Sequence, residues 1–188
     1  MTRDEAIDIL ARHEVTQLGS EERASLLLDW WSIDADDPDY EKLPHSLRVQ
    51  IARSDSPGDP QSPSYDPLLH LAVRRSYAGV VNSYLELRLV AAGRPGKVEG
   101  LVEELMECPC CGYRSLDERG GYEICRVCFW EDDGTTDPES MSSPNRMTLG
   151  EARRNFERLG AIDEFAVSHV LPDGRDRYAS TRRELRIE

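Results

Sequence analysis

The amino-acid sequence predicts a mainly α protein, in which an α-helical N-terminal domain precedes a small β module built around four cysteines and an accessory C-terminal helix. Two observations lead to this prediction. Apolar residues recur in helix-length blocks through residues 1–100, between residues that begin and end helices. Five cysteines are then crowded between Cys108 and Cys128. We expect three parts: residues 1–100, residues 101–160 and a C-terminal extension of residues 161–188.

The first two helices have recognisable starts. Thr2 and Glu5 have the spacing of a capping box and precede an amphipathic block. Ser20 is followed by two acids, which favour a helix N-terminus, and then by the apolar run 26–31. An acidic break at residues 33–42 ends this pair of helices, and Pro44 is expected near the start of a third, short helix.

Residues 54–67 contain four prolines and no aliphatic side chain, which predicts an exposed loop that can serve in binding. Asp66 as the cap and Pro67 in the first turn then predict the start of a further helix. Another apolar stretch runs over residues 80–90. We interpret the glycine-containing segment 93–100 as a linker.

A second capping box, Thr148 with Glu151, predicts the start of the accessory helix, and Gly160 predicts its end. Beyond it, the apolar side chains can pack back on the rest of the protein; they are Phe165, Val167, Val170 and Leu171. Residues 174–188 are polar enough that we expect them to fray.

The cysteines carry the strongest signal in the sequence. Cys108 and Cys111 have two residues between them, as do Cys125 and Cys128, and thirteen residues separate the pairs. A Cys-x-x-Cys turn places two sulfurs on one side of a metal ion, so two such turns make one tetrahedral four-thiolate site. We expect residues 113–124 to form a hairpin between the pairs, which makes the β module zinc-ribbon-like. Zn²⁺ is the expected, structural cofactor, although four thiolates also suit iron.

Cys110 is predicted not to be a ligand, because it would leave a single residue between two sulfurs. Packing beside the metal-binding turns and a reactive thiol are both open to it. A closed four-thiolate shell has no position for a water molecule, and the sequence has no recognisable hydrolase, kinase or dinucleotide-binding motif. We therefore expect no catalytic residues and a protein that is not an enzyme.

The net charge of -13, from 36 acidic and 23 basic residues, works against binding to nucleic acid or to an anionic membrane and favours a partner with a basic surface. No stretch has the length and hydropathy of a membrane span, and the N-terminus does not resemble a signal peptide. A cytoplasmic location is expected, where clustered cysteines indicate metal binding more than disulfides.

Two segments place tryptophan beside acids and are candidate partner-binding surfaces. One comprises Trp130, Glu131, Asp132 and Asp133. The other comprises the loop acids Asp34, Asp36 and Asp37, which follow Trp30-Trp31. An aromatic anchor rimmed by carboxylates suits a basic partner. Core packing of the indoles, with solvated acids around them, is the simpler explanation of both segments.

The stretches CPCCGYRSLDERGGYEICRVCFWEDDG and SPNRMTLGEARRNFERLG resemble the bacterial cysteine-rich CPCC family over roughly residues 106–160. LLLDWWSID and YDPLLHLAV in the first half are similar to longer members of that family. Arg146 stands where similar sequences have a histidine, so we assign it no metal role. The resemblance implies a zinc-binding module and an association with polymorphic toxin genes.

The hypothesis from the sequence is a non-catalytic zinc-binding protein that binds and neutralises a protein partner, as an immunity protein against a bacterial toxin domain. The alternative is a zinc-ribbon regulatory or nucleic-acid-associated protein, which the negative charge disfavours. A third hypothesis is a cysteine-dependent enzyme that uses Cys110 or a redox pair.

Overall fold

The computed structural model describes residues 1–181. It is 44% helical, and within the described residues it has seven α-helices and two small two-stranded sheets, which confirms the mainly α class. The chain forms two compact units. Unit 1 comprises Met1–Ala78 and Leu85–Gly100, and unit 2 comprises Gly79–Tyr84 and Leu101–Glu188. No helix in the described part is both long and apolar enough to cross a membrane.

Unit 1 is a helical bundle around one leucine-rich core. Its helices are α1 (Arg3–Gln17), α2 (Ser20–Trp30), α3 (His45–Arg53), α4 (Asp66–Arg75) and the larger part of α5 (Asn82–Ala91). Both α1 and α2 pack against α4. Several leucines of this core are at most 1% exposed, and the burial of each contributes roughly 1.5–3 kcal/mol; they include Leu10, Leu27, Leu68, Leu69 and Leu89.

The predicted helix starts are found in unit 1. Thr2 and Glu5 form a complete capping box at α1. At α2 the cap is Gly19, one residue earlier than Ser20, because the Glu22 carboxylate accepts a hydrogen bond from the Gly19 N–H at 2.8 Å. Pro44 directly precedes α3, as its restricted backbone predicts.

The segment 54–67 is only partly the exposed loop that the sequence predicts. Tyr65 is 5% exposed and packs edge-on against Trp31, with ring centroids 5.6 Å apart. The Tyr65 hydroxyl accepts a hydrogen bond from the Gly58 N–H, and the Trp31 indole donates one to the Ser54 carbonyl. An aromatic side chain therefore anchors the segment where aliphatic ones are missing.

The expected linker at residues 93–100 is instead part of unit 1. Residues 97–99 lie beside the first three residues of the chain: the Glu99 N–H donates to the Met1 carbonyl at 3.0 Å, and the Arg3 N–H donates to the Glu99 carbonyl at 2.8 Å. Val98 is buried. Main-chain hydrogen bonds thus fix this segment, which a glycine-rich composition alone does not reveal.

Unit 2 contains both sheets and the accessory helix. Strand β1 (Met106–Glu107) pairs with β2 (Arg114–Leu116), and β3 (Met141–Ser142) pairs with β4 (Met147–Thr148), both antiparallel. Helix α6 (Leu149–Leu159) follows β4, and α7 (Gly174–Arg177) lies further along the chain. As predicted, Thr148 caps α6 through the Glu151 N–H, and Gly160 ends it with φ 85°.

The C-terminal residues of unit 2 pack more closely than the sequence predicts. Tyr178 is buried and pairs with Val80, and Ser180 pairs with Tyr113. Residues 174–181 therefore lie against other parts of unit 2, contrary to the predicted fraying, while the rest of that prediction, residues 182–188, lies outside the described residues. The division of the chain into three parts stays a prediction about which of them fold independently; the parts are residues 1–100, 101–160 and 161–188.

Candidate metal centre

Four cysteine side chains of unit 2 converge on one point. The sulfurs of Cys108, Cys111, Cys125 and Cys128 all lie within 4.8 Å of one another. Cys108 Sγ is 3.6 Å from Cys128 Sγ, and Cys111 Sγ is 3.6 Å from Cys125 Sγ. A disulfide needs about 2.05 Å between sulfurs, so these are separate thiols. The structure thus brings together the four residues that the spacing singles out.

The first pair lies in the turn that joins β1 to β2. The Gly112 N–H donates to the Cys108 carbonyl, and the Cys108 N–H donates to the Tyr113 carbonyl, both at 2.9 Å. Gly112 has φ 76°, a left-handed conformation that glycine adopts without a steric penalty. This tight turn points both sulfurs to the same side of the strand pair.

The second pair repeats the same backbone frame. The Phe129 N–H donates to the Cys125 carbonyl, and the Cys125 N–H donates to the Trp130 carbonyl, both at 2.8 Å. A bridge between Ile124 and Glu131 flanks this turn. The predicted hairpin within residues 113–124 is wrong, because each cysteine pair sits at the tip of its own hairpin and residues 117–123 connect the two.

The distances fit a tetrahedral metal ion. Zinc–sulfur bonds of about 2.3 Å place tetrahedral sulfurs about 3.8 Å apart, close to the two 3.6 Å separations. All four cysteines are at most 1% exposed. Two neighbours also contact Cys125 Sγ: the Ser115 hydroxyl oxygen at 3.1 Å and the Val127 N–H, with a nitrogen–sulfur distance of 3.4 Å. Such donors stabilise a thiolate that binds a metal.

Burial makes these thiols difficult to ionise without a cation. It raises the pKa of Cys108, and raises the pKa of Cys111 and Cys128 further, because a thiolate loses its hydration inside the protein. Burial also opposes ionisation of Cys125, but hydrogen bonds from the other three thiols and Ser115 lower its pKa. A divalent cation would compensate the negative charges that these buried thiols acquire when they ionise.

Cys110 lies outside this set, as the spacing predicts. Its side chain is fully buried. A thiol with no exposed surface is poorly placed to attack a substrate from solvent. The position fits packing beside the metal-binding turns.

The predicted partner-binding segment Trp130–Asp133 is mostly internal, which corrects that prediction. Trp130 and Asp132 are both 0% exposed. The Asp132 carboxylate accepts hydrogen bonds at 2.8 Å from the Arg119 Nε–H and from the Gly120 N–H. These hydrogen bonds hold the segment between the two cysteine turns against Asp132. A partner cannot reach the buried carboxylate in this conformation.

The other two members of that segment are half-buried and have local roles. The Glu131 N–H donates to the Asn145 side-chain oxygen at 2.9 Å, and the Asn145 amide donates back to the Glu131 carbonyl. Asp133 accepts a hydrogen bond from the Ser142 hydroxyl at 2.8 Å. Both residues join the second cysteine turn to the β3–β4 hairpin.

Several supporting residues are absent from the sequence interpretation. Ser115, Arg119 and Asn145 act through contacts that span 10 to 14 residues along the chain. Arg153 of α6 donates to the carbonyl of Pro109 at 3.0 Å, 44 residues away, and so ties the accessory helix to the first cysteine turn. No local spacing signals these partners, so only the three-dimensional structure reveals them.

The second predicted binding segment, in unit 1, is accessible. Asp34 and Asp36 are exposed and Asp37 is half-buried. A pocket of about 350 Å³ lies here, which we call the Trp30 pocket. It is lined by Asp29, Trp30, Ser32, Ile33, Asp34 and Asp37. Trp31 is buried, whereas Trp30 is half-exposed and forms part of the pocket wall. The acids and one indole thus share an open surface.

Salt bridges fix the loop around this pocket. Arg75 contacts Asp37 at 3.2 Å and the buried Asp39 at 2.6 Å. Burial raises the pKa of Asp39, but hydrogen bonds from Lys42 and Arg75 outweigh it and hold the pKa below the usual 3.8. The exposed carboxylates therefore stand on a loop that is anchored by its neighbours.

Comparison with known protein families matches residues 106–176 to the family described as Cysteine-rich CPCC. The match spans both cysteine turns, the β3–β4 hairpin and α6. No curated protein and no solved structure was found to be significantly similar.

Proposed function

We propose, from the match of residues 106–176 to the cysteine-rich CPCC family, that the four cysteines hold a structural zinc ion. The observation that carries this proposal is the closed shell of four sulfurs, each at most 1% exposed. Catalytic zinc sites keep one position open for water, whereas structural sites have four protein ligands. Bound zinc would link the two cysteine turns and stabilise unit 2.

The rest of the proposed function is binding, without catalysis, to a protein partner with a basic surface. The overall charge of -13 and the exposed acids of the Trp30 pocket support it. Carboxylates around a half-exposed indole can accept a lysine or arginine side chain, through charge and through the aromatic face. The buried segment Trp130–Asp133 has no part in this proposal.

Within this class, we assign the chain to the immunity proteins that neutralise a bacterial toxin. The assignment rests on the family resemblance, and it suits a surface that recognises a partner without performing a reaction. A toxin is neutralised when its active surface is covered, which requires shape and charge complementarity only.

The test is co-production of the chain with a toxin encoded beside its gene, followed by binding measurements on the purified pair. We expect the chain to restore growth and to bind the toxin. The double variant Asp34→Lys, Asp36→Lys should associate about tenfold more slowly at low salt, with a weaker salt dependence. Neither residue has a salt bridge among the described contacts, so the fold should persist.

The matched control is Glu21→Lys with Asp55→Lys, which makes the same charge change at two other exposed positions of unit 1. Its association rate should stay well above that of the Asp34–Asp36 variant. If both double variants associate equally slowly, the slower association results from the change in net charge alone. That result would refute the Trp30 pocket as the binding site. Turnover of a substrate by the chain alone would refute a purely binding function.

A further inference from the structure

The two cysteine turns share one backbone frame but differ at the left-handed position. Gly112 occupies it in the first turn with φ 76°, and Phe129 occupies it in the second with φ 72°. A residue with a side chain costs roughly 1–2 kcal/mol in this conformation, a cost that glycine avoids. The first turn demonstrates that glycine satisfies the frame, so metal binding alone does not explain a bulky aromatic residue in the second.

The Phe129 ring takes part in an aromatic cluster at the surface, which consists of Phe129, Phe165 and His169. The Phe129 ring centroid is 6.5 Å from that of Phe165 and 5.3 Å from that of His169. Phe165 and His169 stack with centroids 4.4 Å apart. His169 Nδ1 also lies 3.1 Å from the Phe165 carbonyl oxygen, which fixes the ring orientation.

This cluster is not part of the core. Phe165 is 68% exposed, His169 is exposed and Phe129 is half-buried. By contrast Phe156, the remaining phenylalanine of the chain, is 7% exposed and is covered by the Arg175 guanidinium and the Tyr113 ring. The Phe165 ring stays largely in water and contributes little to folding, and the partial burial of Phe129 does no more than offset the strain of its backbone.

We propose that the aromatic cluster is a docking surface for a protein segment in which an apolar side chain is flanked by lysine or arginine. Three rings held in fixed orientations give an anchor that loses little conformational freedom on binding. Acids adjoin it: Glu164 is exposed beside Phe165, and Asp163 caps the turn that carries Phe165 by accepting from the Ala166 N–H. Basic flanking residues complement these charges.

A second copy of the chain is a poorer occupant than a basic segment. It would bring the same Asp163 and Glu164, and the same net charge of -13, toward the cluster. Like charges that face each other across an interface weaken it. The surface belongs to unit 2 and is distinct from the Trp30 pocket of unit 1, so it extends the proposed function to a second contact region.

Fluorine NMR gives a direct test because the chain has only three phenylalanines. The zinc-loaded full chain labelled with 4-fluorophenylalanine should give three resonances, assigned from single Phe→Leu variants. The probe is a synthetic peptide with a central leucine flanked by two lysines on each side. Matched peptides replace the lysines with glutamate or the leucine with alanine.

We expect the lysine–leucine peptide to shift the Phe129 and Phe165 resonances and to leave Phe156 unmoved. Both altered peptides should bind at least fivefold more weakly. Phe165→Ala should weaken binding on the order of tenfold, as loss of an aromatic anchor does. Met141→Ala is the control, because Met141 is 65% exposed in the same unit but lies outside the cluster; it should bind as the wild type does.

Phe129→Gly separates recognition from folding. It should keep its zinc and unfold about as easily as the wild type, because relief of the backbone strain offsets the lost ring contacts, yet bind the peptide more weakly. Loss of zinc or of stability in this variant would assign Phe129 a structural role and overturn the argument from strain. Equal affinity for all three peptides, or self-association of the chain that Phe165→Ala abolishes, would overturn the assigned occupant.

Discussion

Replacement of Cys125 by serine should weaken metal binding strongly. Cys125 Sγ is fully buried, lies 3.6 Å from Cys111 Sγ, and receives contacts from Ser115 and Val127. A serine hydroxyl is shorter and much harder to deprotonate than a thiol, so it replaces the ligand poorly.

The size of the effect follows from the number of ligands. Structural zinc binds four-ligand peptides with about 10–16 kcal/mol of apparent free energy, or about 2.5–4 kcal/mol for each ligand. Loss of one sulfur should therefore weaken affinity roughly 10²- to 10³-fold. Competition with a chromophoric zinc chelator at pH 7 measures this change on the full chain.

Cys110→Ser is the matched control for Cys125→Ser. Cys110 is as buried as the four clustered cysteines but lies outside their set. Its variant should lose less than tenfold in affinity, whereas Cys108→Ser, Cys111→Ser and Cys128→Ser should resemble Cys125→Ser. Full zinc retention by Cys125→Ser, or a greater loss in Cys110→Ser, would refute the ligand assignment.

Three further predictions concern the support of the two units. Asp132→Asn should destabilise unit 2 by about 2 kcal/mol, because a neutral amide with one acceptor oxygen replaces the buried carboxylate that accepts from Arg119 and Gly120. Urea unfolding against Glu131→Gln measures this change, and equal midpoints would contradict it. Chelation of zinc should reduce hydrogen-exchange protection in unit 2, and an equal loss throughout residues 1–78 would contradict separate stabilisation of unit 1. Acidification should remove stability that Asp39 provides: its folded pKa is below 3.8, so this stability is present above pH 3.8 and is lost as the pH falls through the folded value. The difference in unfolding free energy between wild type and Asp39→Asn should therefore shrink from pH 7 to pH 3, and a constant difference would refute the assignment.

The features that the sequence predicts well are those with local causes. A Cys-x-x-Cys turn and a Thr-to-Glu capping box each depend on atoms within a few residues, so Cys108, Cys111 and Thr2 could be interpreted from spacing alone. The helical class follows from apolar periodicity in the same way.

The failures of the sequence interpretation have a common physical cause, which is pairing between distant residues. The neighbours of Asp132 in the sequence are typical of a solvated acidic loop, but Arg119, thirteen residues earlier, neutralises its charge in the interior. Residues 97–99 have the composition of a linker, but the first three residues of the chain satisfy their backbone groups. Similarly, Tyr65 anchors a proline-rich segment through Trp31. The amino-acid composition of a segment does not reveal which distant residues it will contact.

Zinc-edge X-ray absorption on the purified full chain, together with its metal content, tests the four-thiolate site most directly. We predict about one zinc per chain and a shell of four sulfurs at about 2.3 Å with no oxygen or nitrogen ligand. Iron in place of zinc would contradict the metal assignment. A nitrogen or oxygen atom in the shell, or fewer than four sulfurs, would contradict the closed structural site.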